Sequence, residues 1–191
     1  MSYFGNAGQL LVNVFFGLAM AVVLLRVLLQ AAGANFYNPI CQMLHRLTQP
    51  ALGPMRRVVP PYRRIELAGV VLVWLLAVLK FWLLSTLAGV SPPWAALLVA
   101  GLADAISLLL WIWFWVLLAG VLLSWIPMDN RNPVVPLVYQ LTEPLLTPMR
   151  RVLPDLPIDL SPMFAILAVQ LARILIVTPL FDLAARLAVG G

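Results

Sequence analysis

The chain has 191 residues, of which 63% are hydrophobic and only 10% are charged, and its mean hydropathy is +1.01. Soluble domains carry about 25% charged residues, so this composition excludes an ordinary soluble protein and indicates a membrane protein. The formal net charge is +5, and the single cysteine, Cys41, excludes an internal disulfide.

The first apolar run extends from about residue 10 to residue 32, which is long enough to cross a bilayer. Ala32-Gly33-Ala34 resembles a signal-peptidase site. However, no charged residue precedes the run, and Arg26 interrupts it, so a cleaved signal peptide fits poorly. We therefore predict that this segment is retained as a transmembrane span.

A proline-punctuated first connector follows, at about residues 33–64. Asn38-Pro39 predicts a helix start, with asparagine as the N-cap and proline at the first helical position. Pro50 and Pro54 predict two short helices at an angle on the membrane surface, because proline interrupts a long helix. The alternative is an irregular cytoplasmic loop. Three apolar residues are predicted to share one helix face: Met43, Leu44 and Leu47.

The second predicted span covers about residues 66–88, and an uncharged hinge at residues 89–93 follows it. The third apolar run is longer than a bilayer needs and contains Asp104 near its start. We therefore predict that it crosses the membrane over about residues 105–126. A second connector at residues 127–160 leads to the last predicted span, at residues 162–188.

The two connectors spell nearly the same residues at a constant offset of 94 positions. A fixed period shared by prolines and polar residues indicates duplication. Residues 1–93 and 94–191 are therefore predicted to be two repeats, each a hairpin of two spans. The matching residues of the motif are Asn38, Thr48, Pro50 and Pro54 in the first connector, and Asn132, Thr142, Pro144 and Pro148 in the second.

Both connectors contain Leu-Thr-x-Pro-x-Leu-x-Pro-Met-Arg-Arg-Val-x-Pro, and this pattern resembles the YggT (YlmG) family of small integral membrane proteins. The first copy departs from the family pattern at Leu67-Ala68, where the second copy has Ser161-Pro162. The resemblance implies residence in the bacterial inner membrane and a role in osmotic tolerance. In relatives it also implies cofactor assembly on membrane cytochromes, or envelope and division processes. It implies no common biochemical activity.

The connectors hold eight of the twelve basic residues, and the hinge between the repeats holds none. Short loops rich in Lys and Arg favour the cytoplasmic side of a membrane. Both connectors are therefore predicted to be cytoplasmic, with both termini and the hinge outside and the two hairpins parallel. Six arginines are predicted to face anionic lipid headgroups or a protein partner: Arg56, Arg57, Arg63, Arg64, Arg150 and Arg151.

Four charged residues lie within or beside the predicted spans, where such groups are costly and often functional: Arg26, Lys80, Asp104 and Arg173. Lys80 and Arg173 occupy equivalent positions at an offset of 93, which allows an anion-favouring site near the pseudo-twofold axis. Snorkelling towards the outer headgroups is the simpler explanation. Asp104 is predicted to pair with Lys80. Arg26, whose counterpart is Gly120, is predicted to snorkel inward.

Two acidic residues, Glu66 and Asp159, stand just after the basic connectors and are predicted to bond Arg63 or Arg150. This contact would fix how each connector meets its span. Two pairs of small residues at a spacing of four allow close helix packing: Gly17 with Ala21, and Gly101 with Ala105.

The sequence contains no recognisable catalytic motif, and its one histidine, His45, is replaced by Tyr139 in the second copy. We therefore predict a protein that is not an enzyme, without a metal or cofactor and without a nucleic-acid partner. The favoured interpretation is a membrane protein whose paired basic connectors form a docking surface for anionic lipids or a protein partner. The alternative is a subunit of an ion or solute channel or transporter, formed by a homo-oligomer.

Overall fold

A computed structural model of the chain describes residues 3–61, 65–125, 132–152 and 159–190. These residues form six helices: α1 Tyr3–Ala31, α2 Pro39–Met55, α3 Leu67–Leu87, α4 Trp94–Trp125, α5 Val134–Val152 and α6 Ser161–Val189. Of these, α1, α3, α4 and α6 are long and apolar enough to cross a membrane. The prediction of an all-α protein with four candidate spans is therefore confirmed.

Two of the candidate spans, α1 and α4, are longer than predicted at their N-terminal ends. Helix α1 begins at Tyr3, and α4 is one continuous helix of 32 residues that begins at Trp94. At about 1.5 Å per residue, α4 is roughly 48 Å long and exceeds the hydrocarbon thickness of a bilayer. Asp104 thus lies inside a helix that has already completed nearly three turns.

Each connector contains one continuous helix, so the prediction of two short helices in the first connector is wrong. Pro50 and Pro54 lie inside α2, and Pro144 and Pro148 lie inside α5. An interior proline costs about 3 kcal/mol, chiefly because a carbonyl four residues earlier loses its donor. All four prolines are on exposed faces, where water or headgroups can solvate those carbonyls. Burial of the opposite faces offsets the remaining cost.

Helix α2 buries one face against the rest of the fold. Leu44, Thr48 and Leu52 are buried at a spacing of four, whereas Met43 and Leu47 are exposed. Of the three apolar residues predicted to share a helix face, only Leu44 is therefore on the buried side. Thr48 is buried beside it, where its hydroxyl contacts Arg26 of α1, as described below.

Helix α4 lies at the centre of the packing and contacts α1, α3, α5 and α6. One buried cluster joins α1, α3 and α4 through residues such as Met20, Val73 and Ile112. A second joins α4, α5 and α6 through Leu117 and Val169, among others. Large apolar residues remain exposed along the four long helices, as expected for faces that meet lipid.

Helix α6 contains a π-helical segment at Arg173–Val177, which the sequence analysis did not predict. The backbone N–H of Thr178 donates to the carbonyl oxygen of Arg173, five residues earlier. The next residue, Pro179, has no N–H to donate. This wider turn begins at Arg173, which is one of the predicted intramembrane charges.

Candidate functional site

The two connectors meet at their Asn-Pro motifs. Asn38 caps α2, since its Oδ1 accepts a hydrogen bond from the backbone N–H of Ile40 at 2.9 Å. Its Nδ2 donates to the carbonyl oxygen of Pro133 at 2.7 Å. Asn132 similarly accepts from the N–H of Val134 at 3.0 Å. The cap predicted at Asn38 is therefore present, and the starts of α2 and α5 lie at the same end of the molecule.

Apolar contacts strengthen this junction between the connectors. Leu29 of α1, Leu44 of α2, and Leu137 and Leu141 of α5 form one buried cluster. Both connectors therefore contribute to one buried cluster with the end of α1.

A buried ion cluster joins the first connector to its two spans. The side chain of Glu66 is only 1% exposed, and its Oε1 accepts from Nε of Arg56 at 2.5 Å. Its Oε2 lies 3.2 Å from Nε of Arg26, as an ion pair without hydrogen-bond alignment. Helix α1, the end of α2 and the start of α3 are thus tied to one carboxylate.

Arg26 was predicted to snorkel inward, and its side chain does extend towards the first connector, but it ends buried in this cluster. Its Nη1 donates to Oγ1 of Thr48 at 2.5 Å and lies 3.3 Å from the carbonyl oxygen of His45. Its Nη2 lies 3.5 Å from Oε1 of Gln49. Because these partners satisfy the guanidinium inside the fold, the side chain has no need to reach water.

Glu66 was predicted to bond Arg63, and the structure pairs it with Arg56 and Arg26. Arg63 and Arg64 themselves lie outside the described residues. Burial, together with the positive charges of Arg26 and Arg56, lowers the pKa of His45. The ring packs edge-on against Phe36.

The equivalent place in the second connector is open instead of buried. Nε of Arg150 lies 3.1 Å from Oδ2 of Asp159, as predicted, and Nη1 lies 3.5 Å from Oε1 of Glu143. These side chains are 46%, 47% and 60% exposed. Hydrogen bonds from the hydroxyl and the N–H of Ser161, with a smaller effect of Arg150, lower the pKa of Asp159.

A groove lies beside this exposed cluster, between α4, α5 and the start of α6. Its volume is about 540 Å³. Its polar lining includes Thr142, Glu143, Arg150 and Asp159, and Gly120 lies on its α4 wall. Gly120 is the counterpart of Arg26. The sequence comparison identified that replacement but gave no reason to expect a groove.

The predicted ion pair between Lys80 and Asp104 is present, with Nζ 2.5 Å from Oδ2. Lys80 is buried, and its ammonium also lies 5.1 Å from the ring centre of Phe81. Arg173, the counterpart of Lys80, contacts Oε1 of Gln170 at 3.4 Å instead. The two basic residues therefore have different partners.

The connector arginines divide into two kinds. Arg56 and Arg150 are held by carboxylates, as described above. Arg57 and Arg151, which follow them, are exposed. Among the described residues, no group of three or more His, Cys, Asp or Glu side chains is placed to hold a metal ion.

Comparison with known proteins identifies the relationship. The model of the CCB3/YggT family matches the chain twice, over residues 6–87 and 99–180. A protein of Vibrio alginolyticus is 39% identical over 89% of this chain and 93% of its own length.

A protein of Pseudomonas aeruginosa is 40% identical over 85% of this chain and 84% of its own length. Escherichia coli YggT is 35% identical over 85% of both chains. All three are described as uncharacterised. No solved structure gives a significant match. The chain belongs to the CCB3/YggT family, and it carries two copies of the family unit.

Proposed function

We propose that this protein is a non-enzymatic, multi-pass protein of the bacterial inner membrane, whose two basic connectors form one cytoplasmic docking surface for anionic lipids or a protein partner. Each family unit, within residues 1–93 and 94–191, is a hairpin of two spans. The hairpins run parallel, with both termini and the hinge outside. The surface serves osmotic tolerance or the assembly of membrane complexes.

The observation that carries this proposal is the hydrogen bond from Asn38 to the carbonyl oxygen of Pro133. Helix α1 leads into the first connector and α4 leads into the second, so a contact between the connectors implies that both helices run towards the same end. Two inverted repeats would separate the connectors by the thickness of the membrane. The shared apolar cluster supports the same arrangement.

The charges favour the cytoplasmic face for this end. Arg57 and Arg151 are exposed at corresponding positions of the two connectors. The anionic cytoplasmic leaflet attracts such residues with about 1 kcal/mol each, which is roughly fivefold in affinity per arginine. Because the starts of α2 and α5 contact each other, we assign these two charges to the same side of the membrane.

Reversing these two charges tests the surface. In mixed-lipid nanodiscs, Arg57→Glu with Arg151→Glu is expected to weaken the recruitment of phosphatidylglycerol around the protein by about 25-fold or more, fivefold for each arginine, since attraction is replaced by repulsion. Native mass spectrometry of the released protein counts the retained lipids.

Arg186→Glu is the matched control, because Arg186 is exposed in the last turn of α6, at the opposite end of that helix from the second connector. Equal loss in the control and the double variant would argue against a connector surface. The proposal would be contradicted if the double variant retained as much lipid as the parent and, when crosslinked in native membranes, also captured the same proteins.

The second candidate is an ion or solute pathway, and the buried pair of Lys80 with Asp104 favours it. The π-helical segment after Arg173 adds a second irregular point in a span, and such segments frequently occur at functional sites. Proteoliposomes distinguish the candidates. Flux of ions or osmolytes that Lys80→Ala or Arg173→Ala abolishes would favour transport over docking.

A further inference from the structure

The groove beside Gly120 corresponds to the place that the Arg26 guanidinium fills in the first repeat. Arg26 contacts three side chains there: Thr48, Gln49 and Glu66. Their counterparts in the second repeat are Thr142, Glu143 and Asp159, and all three line the groove. The second repeat thus keeps side chains equivalent to the three that contact Arg26, whereas its own helix α4 supplies no basic side chain to them.

The net charge of the groove also favours a bound cation, as a comparison with the Arg26 cluster shows. In the first repeat, Arg26 and Arg56 surround the single carboxylate of Glu66, with a neutral Gln49 beside them. In the second, Arg150 faces two carboxylates, those of Glu143 and Asp159. The described ionised groups therefore sum to one negative charge, which one added cation would neutralise.

The residues that line the groove, and their positions along the candidate spans, indicate what kind of cation would bind there. Apolar side chains of α4, α5 and α6, including Leu117, Leu146 and Ile166, form most of its lining. Trp125 and Leu160, at the connector ends of two candidate spans, line its polar end. Tryptophan is enriched at the headgroup level of membranes. A ligand there meets charge at one end and hydrocarbon at the other.

We propose that this groove binds an aminophospholipid, with its ammonium group held by Glu143 and Asp159 where the first repeat holds the Arg26 guanidinium. The acyl chains lie along the apolar lining, and the phosphodiester lies beside Arg150. The two carboxylates disfavour a purely anionic lipid such as phosphatidylglycerol. The groove is of the size of ordinary small-ligand sites, about 300–1,000 Å³. This site requires headgroup depth but neither leaflet in particular, so it does not depend on the proposed docking function.

Gly120→Arg tests the site by supplying the missing guanidinium from the chain itself. A Cβ at this position would lie 3.5 Å from Cγ2 of Thr142 and 3.7 Å from Cγ1 of Val138, which are ordinary contacts. The new side chain is expected to occupy the groove and to displace the lipid. Glu143→Gln, a change on an exposed side chain, removes one carboxylate without affecting the core.

Binding is measured by titrating the detergent-solubilised full-length protein with phosphatidylethanolamine, phosphatidylglycerol or free ethanolamine and counting adducts by native mass spectrometry. Both variants are expected to bind phosphatidylethanolamine about tenfold more weakly, as for loss of a hydrogen bond to a charged group. Asp182→Asn, which changes an exposed carboxylate far along α6, is expected to bind it as the parent does.

Three results would overturn the proposal. Parent-like binding of phosphatidylethanolamine to Gly120→Arg and Glu143→Gln would place the lipid elsewhere. Phosphatidylglycerol binding that falls in Gly120→Arg and Glu143→Gln as much as phosphatidylethanolamine binding does would remove the role of the ammonium group. Free ethanolamine that binds as tightly as the lipid, with the same loss in the variants, would assign the groove to a soluble cation.

Discussion

Replacing Glu66 by glutamine is expected to lower the free energy of unfolding by about 3–5 kcal/mol, the usual cost of removing one partner from a buried ion pair. The side chain is 1% exposed and is the acidic partner of both Arg26 and Arg56. Arg56 reaches solvent, but Arg26 is buried and would keep an unpaired charge. Equilibrium unfolding by denaturant in detergent micelles measures the loss.

The second repeat supplies the matched control. Asp159→Asn makes the equivalent change at a carboxylate that is 47% exposed and whose arginine partner is 46% exposed. Solvated ion pairs contribute about 0–1 kcal/mol, so this variant is expected to unfold nearly as the parent does. Equal losses in the two variants would show that burial of the first cluster does not determine its contribution.

Replacing Gly101 by alanine is expected to lower the free energy of unfolding by about 1–3 kcal/mol, as overpacking in a tight core does. A Cβ at Gly101 would lie 2.9 Å from the backbone nitrogen and 3.2 Å from Cα of Val78. It would also lie 2.6 Å from the Cγ2 atom of that valine. A rotamer change cannot relieve contacts with backbone atoms, so α3 and α4 must move apart.

Gly17→Ala is the control for this change. No atom lies within 4 Å of a Cβ at Gly17, although the sequence analysis placed both glycines in similar small-residue pairs. Alanine is favoured over glycine in a helix by about 0.5–1 kcal/mol, so this variant is expected to be as stable as the parent or slightly more stable. Thermal unfolding in the same detergent compares the two. A loss at Gly17 as large as at Gly101 would contradict the packing described for α3 and α4.

Features set by residues within one helix, or by two consecutive helices, were predictable from the sequence. The cap at Asn38 follows from the chemistry of an Asn-Pro helix start, and the structure contains it. The four candidate spans follow from the length of the apolar runs. The pair of Lys80 with Asp104 was found by comparing depths in adjacent spans, because the short hinge brings those spans together.

Features set by distant contacts were not predictable in this way. Arg26 was predicted to snorkel inward without a partner, because Glu66 is 40 residues away and becomes a neighbour only when α1 packs on α3. The prolines of α2 were read as helix breaks because the local cost is visible in the sequence, whereas the compensating burial of Leu44, Thr48 and Leu52 is not.

The comparison between the repeats shows how duplicated units diverge. Arg26 and Gly120 are counterparts; Arg26 lies in a buried ion cluster, whereas Gly120 lines a groove. The change of Gln49 to Glu143 adds an acid where the cation is missing. Together with the shared Thr48 and Thr142, these two differences are the basis for the cation site proposed above.

The position of the two connectors is tested most directly by cysteine labelling in right-side-out membrane vesicles. In a Cys41→Ser background, Arg57→Cys and Arg151→Cys probe the two connectors, and Ser91→Cys probes the hinge; all three residues are exposed. An impermeant maleimide is expected to label only the hinge variant until the vesicles are opened, and then to label both connector variants. Labelling of one connector but not the other in sealed vesicles would put them on opposite faces and contradict the account.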